Sequence, residues 1–94
     1  MFHFVLHAVP KEPTADTAGA YVSCWIDFRE RDGAELLARH YIEETGWTPG
    51  EVEEERWVEE ATYAGTPELR YFREAAQDGA SFVFHRYPPE EGAG

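Results

Sequence analysis

Residues 1–9 (MFHFVLHAV) alternate with period two: Phe2, Phe4, Leu6 and Ala8 fall on one side of an extended chain, and His3, Val5, His7 and Val9 on the other. This pattern predicts a β-strand, ended by Pro10, which cannot donate to a ladder. Residues 21–28 (YVSCWIDF) are dense in β-branched and aromatic types and predict a second strand, with Val22, Cys24, Ile26 and Phe28 sharing a side. Between them, residues 11–19 (KEPTADTAG) are aperiodic and rich in turn formers, which predicts a loop.

The period then changes. Ala34, Leu37, Ala38, Tyr41 and Ile42 recur at helical spacing, Asp32 stands three residues before Glu35 as in a capping box, and Gly46 suits the position just past the helix end. A second helix is predicted from Thr66-Pro67-Glu68, with Leu69, Phe72, Arg73 and Ala76 along one side and Asp78-Gly79 as the stop. Residues 80–87 (ASFVFHRY) predict a last strand, closed by Pro88-Pro89, and 90–94 a flexible C-terminal tail.

Residues 51–63 (EVEEERWVEEATY) suit two structures. Their glutamates favour helix, but helical spacing collects no continuous apolar stripe, whereas Val52 and Val58 share strand parity. A strand over 51–58, bulged near Trp57, is preferred, its acids marking a solvated face or a sheet edge.

The element order is therefore β-β-α-β-α-β in one domain, residues 1–89. Right-handed crossovers would put both helices on one face of a four-stranded, mostly antiparallel sheet. The expected fold is α+β, a two-layer sandwich of ferredoxin-like character.

Charge narrows the partners. Nineteen acids against eight bases give a net charge of −11, and residues 43–60 hold eight acids and one base. Such a field repels nucleic acid and anionic membrane and attracts cationic partners. Glu53, Glu54, Glu55, Glu59 and Glu60 form the candidate acidic interaction patch. The single cysteine, Cys24, leaves no internal disulfide and fits a reducing, cytoplasmic compartment.

No motif carries an obvious chemistry. His3 and His7 lie four apart, roughly 13 Å along a strand, too far to share a metal ion, so neither a metal nor a cofactor is expected. Cys24 falls on the apolar side, where a free thiol acts as a small hydrophobe. Asp27, between Ile26 and Phe28, is the acid expected to be partly buried.

One surface stands out. If the helices cover the face of Phe2, Phe4, Val22, Ile26, Phe82 and Phe84, the other face shows His3, Val5, His7, Tyr21, Trp25, Val83 and His85. That set is too apolar and aromatic for an ordinary wet face. His3, His7, Tyr21, Trp25 and His85 are its candidate binding residues. The face admits packing by the 10–20 loop or the C-terminal tail, a partner interface or homodimer built around Trp25, Val5 and Val83, or a ligand cleft. The functional expectation is a non-catalytic interaction module for a basic protein partner. The alternative is a small-ligand-binding protein or small enzyme using a His and aromatic pocket on the open sheet face.

Overall fold

The computed structural model describes residues 1–89; the tail expected over 90–94 lies outside them. The alternating segments form β1 (Phe2–Pro10), β2 (Gly19–Ile26), β3 (Trp47–Trp57) and β4 (Ala80–Tyr87), in the order β3-β1-β2-β4, every neighbouring pair antiparallel. The fold is thus α+β, with helices α1 (Arg31–Glu44) and α2 (Leu69–Asp78). A 3-10 turn, Glu60–Tyr63, sits between β3 and α2.

The register runs in rows across all four strands. Trp57, Phe2, Ile26 and Ala80 form one row, and Glu55, Phe4, Cys24 and Phe82 another. The even side is dry: Phe4, Leu6, Val22, Cys24 and Ile26 are fully buried beneath Ala34, Ala38 and Ile42 of α1. The two alanines leave no bulk between helix and sheet, so α1 lies close on the strands. Trp47 closes this core at the far end, its ring tilted against Phe84 at 5.4 Å.

The helices do not share a face, contrary to the sandwich expected from the element order. Leu69, Tyr71, Phe72 and Ala75 of α2 pack instead with Trp25, Val58, Tyr63 and Val83, on the side opposite α1. Two physical reasons account for it. The handedness rule governs connections between parallel strands. It applies to β2–α1–β3, since both strands run antiparallel to β1, but β3 and β4 are antiparallel to each other and lie at opposite edges. In addition, α1 already fills the even side, so the connection across the sheet end covers the apolar side chains left on the odd side.

Local signals explain the element ends. Glu30, rather than Asp32, caps α1: its carboxylate accepts from the Asp32 and Gly33 amides at 2.9 and 2.6 Å. Gly46 and Gly79 follow the two helices with φ of 92° and 97°, a left-handed conformation that glycine adopts without a Cβ clash. Helix α2 begins at Leu69, later than Thr66-Pro67-Glu68 suggested, because the Thr66 hydroxyl donates backwards to the Tyr63 carbonyl and closes the turn.

Strand β3 is longer than the expected 51–58 and starts at Trp47. Pro49 is tolerated in it because β3 is an edge strand. Its register with β1 slips on either side of Leu6, not near Trp57, where Trp57 packs edge-on against Phe2 at 5.1 Å. Strand β4, the other edge, pairs with β2 without interruption.

Because Ile42 is fully buried and Leu36 on the same helix is 70% exposed, the two should respond differently to truncation. Ile42→Ala should cost about 2–5 kcal/mol in urea unfolding, and Leu36→Ala should stay within about 0.5 kcal/mol of wild type.

Candidate functional site

The odd side of the sheet carries two rows that matter. Arg56, His3, Trp25 and Ser81 form one, and Glu54, Val5, Ser23 and Val83 the next. Over them stands a wall built by the 3-10 turn and the start of α2. Trp25 ties wall to floor: its indole N–H donates to the Tyr63 hydroxyl at 2.9 Å, and its ring stacks on Tyr71 at 5.3 Å. Ser81 donates to the Tyr71 carbonyl at 2.6 Å, fixing the same helix from β4.

Floor and wall enclose a cleft of about 450 Å³. His3, Trp25, Tyr63 and Tyr71 line it, with Val5, Ser23 and Val83 on the floor, Thr62 and Thr66 on the turn, and Glu54, Arg56, Glu68 and His85 exposed around it. The aromatic rings supply flat apolar surface, and the rim supplies both signs of charge.

His3 is the unusual group. It is only 7% exposed, its ring lies 4.7 Å from the Trp25 ring, and its Nδ1 is buried without a hydrogen-bond partner. Burial, reinforced by the neighbouring Arg56 charge, lowers its pKa to about 4, so the imidazole is neutral at pH 7. An unpaired buried polar atom carries a desolvation cost of about 1–3 kcal/mol, which sets it apart from the satisfied groups around it.

The five residues expected to share this face do so, but they divide into two groups. His3, Trp25 and His85 meet in the cleft. His7 and Tyr21 gather with Tyr87 at the other end of the sheet, where the His7 Nε2 and the Tyr87 hydroxyl are hydrogen-bonded. Gly19 lies under the Tyr87 ring, and a Cβ there would overlap it. Trp25 is 3% exposed and sits inside the chain's own second core, so it cannot anchor the homodimer interface expected around it.

The acidic patch is also divided. Glu54 points to the cleft side and Glu55 to the α1 side, where Arg31 holds its carboxylate through two hydrogen bonds and lowers its pKa. Glu59 accepts from the Trp57 indole at 2.6 Å, Glu60 lies 3.5 Å from Arg73, and Glu53 is exposed. Asp27 is exposed rather than partly buried. Cys24 is fully buried, and burial pushes its thiol pKa up, the reverse of nucleophile activation. Among the described residues no group of three or more His, Cys, Asp or Glu is arranged to hold a metal ion, and no helix is long and apolar enough to cross a membrane.

Sequence reasoning missed Arg56, Tyr63, Glu68 and Tyr71, because it placed α2 on the other face. The available signal was the Leu69, Phe72, Ala75 spacing, whose buried member is Ala75 and not Ala76. A second cleft, about 440 Å³, lies between Lys11, Thr14, Thr17, Trp47 and Arg86. Its cations are already engaged, Lys11 with the Glu43 carbonyl and Arg86 over the Trp47 ring.

Two outcomes are expected. Trp25→Ala should cost about 3–5 kcal/mol in chemical unfolding, as for a core aromatic, instead of yielding a folded protein with altered assembly. For His3, the unfolded chain titrates near 6.5 and the folded chain near 4, so the unfolded state binds more protons between these values. Stability should be complete above about pH 6.5 and decline as the pH falls towards 4, and His3→Phe should remove that part of the slope. No protein-family model, curated protein or solved structure matches the chain.

Proposed function

We propose that the chain is a small-ligand-binding protein, and that the ligand occupies the cleft between the sheet and the α2 wall. The observation that supports this most is His3: a neutral, nine-tenths buried imidazole with an unpartnered Nδ1, lining a cleft of about 450 Å³. Small-molecule sites are concave, largely apolar, and carry a few convergent polar groups. Here the apolar surface is Tyr63, Tyr71, Val5 and Val83, and the polar groups are His3, Ser23 and Arg56. Among the described residues that line the cleft, no side-chain hydrogen bond joins a hydroxyl to a histidine, and the reading offered is binding.

Association with a basic protein partner remains as a second reading, on one observation. Strand β3 is a sheet edge with Glu51, Glu53 and Glu54 exposed along it. That contact would be charge-driven and would weaken as salt shortens the Debye length to about 8 Å and below.

A fragment screen that includes indole, followed by amide and indole N–H chemical shifts, tests the first reading. Ligands should move the Trp25 indole N–H together with Ser23, Thr62 and Val83. Val5→Trp, which fills the floor from a residue outside both buried clusters, should abolish these shifts in protein whose amide spectrum is otherwise retained. Shifts confined to β3, or none at all, would count against the cleft as the site.

A further inference from the structure

The cleft holds both signs of charge on side chains that form no ion pair among the described residues. Arg56 turns its guanidinium over the Tyr63 ring at 5.8 Å, and its polar contact is the Tyr63 hydroxyl at 3.5 Å. No carboxylate of the described residues lies within salt-bridge distance of it. Yet Glu54 stands two residues away on the same side of the same strand, in a chain with nineteen acids to eight bases. Glu54 and Glu68 likewise have no cationic partner among the described residues.

Each simple ligand class leaves part of this set unsatisfied. An anion would meet Glu54, Glu68 and the field of a chain with net charge −11. A cation would meet Arg56. A neutral molecule would give these charges at best hydrogen bonds from uncharged groups, with no countercharge for any of them. A molecule carrying both charges on a flat apolar body satisfies them together.

Resting on the cleft as the binding site, we infer that its ligand is a small zwitterion of the class of an aromatic α-amino acid. The carboxylate lies against Arg56, the ammonium between Glu54 and Glu68, and the ring against Val5 and Val83 on the floor, since Trp25 and the Arg70 guanidinium already lie against the Tyr71 ring. The molecule is neutral overall, so the acidic surface neither attracts nor repels it at a distance. Hydrogen bonds to charged groups are stronger than neutral ones, which makes each ligand charge a determinant of affinity.

His3 reports on occupancy. The groups around it in the cleft are Arg56 and Glu54 on β3, Tyr63 on the 3-10 turn, Glu68 just before α2, Tyr71 on α2, and His85 on β4. Arg56 is the charge that disfavours its protonation. A carboxylate set against Arg56 offsets that charge, so a bound zwitterion raises the His3 pKa from its value near 4.

Three probes of nearly one shape decide it: L-phenylalanine, with both charges, phenethylamine, with the cation alone, and 3-phenylpropionate, with the anion alone. Each is titrated into the protein at pH 7 while the Trp25 indole N–H is followed. L-Phenylalanine should bind at least about tenfold tighter than either single-charge probe, equivalent to about 1.4 kcal/mol. Arg56→Gln should bring its affinity to that of phenethylamine, whose own binding is not weakened by the change. The His3 ring should titrate at higher pH in the presence of L-phenylalanine and not of phenethylamine. Equal affinities for the three probes, or tightest binding of a single-charge probe, would overturn the zwitterion while leaving the cleft a binding site. If L-phenylalanine, phenethylamine, 3-phenylpropionate and indole all leave the Trp25 signal unmoved, both the zwitterion and the cleft reading fall.

Discussion

The indole of Trp25 is the contact on which the second layer of the protein depends. It sits on the sheet between His3 and Ser81 in register, donates to Tyr63 in the 3-10 turn and stacks on Tyr71 in α2. An indole buries a large area but brings one polar N–H that must find an acceptor. Tyr63 supplies the acceptor, and in doing so fixes where the turn lands on the sheet. The position of α2, the height of the cleft wall and the burial of His3 all follow from that landing point.

Charge and burial divide the molecule by side. On the α1 side, acids of β3 and α1 are spent within the chain: Arg31 takes Glu55, Glu35 and Asp32 together. Such exposed pairs contribute little stability, about 0–1 kcal/mol each, but they remove Glu55 from any surface offered to a partner. On the α2 side Glu60 meets Arg73, but Glu54, Arg56 and Glu68 line the cleft without ionic partners among the described residues. The number −11 therefore describes the chain and not any one surface of it.

Much of the fold was legible because it rests on local rules. The alternation in Phe2–Pro10 and Ala80–Tyr87, the Ala34, Ala38 and Ile42 stripe, and the glycines at 46 and 79 each state their structure within a few residues. The side on which α2 packs was not legible, since it depends on strand order, and strand order is set by pairing between distant segments. The site suffered from the same cause. His3, Trp25 and His85 share parity and were visible as one face, whereas Arg56 joins them through the β1–β3 register, and Tyr63 and Tyr71 only once the chain crosses the sheet to α2. His7 and Tyr21 have the same parity too, but parity assigns a face and not a distance along the strand.

The two sheet edges are unequal. Strand β3 is interrupted twice in register, contains Pro49 and carries a row of glutamates, so another strand cannot lie flush against it. Strand β4 has none of these features: its eight residues include neither proline nor acid, and its ladder to β2 is unbroken. Backbone-mediated growth of the sheet therefore has a single permissive direction. An end-to-end stack of copies needs two open edges per molecule, and with one the series terminates after β4 meets β4. Edge-to-edge growth of the folded sheet is thus opposed at β3 by its register slips, Pro49 and glutamates together, and a regular, uncharged β3 would lack that obstacle.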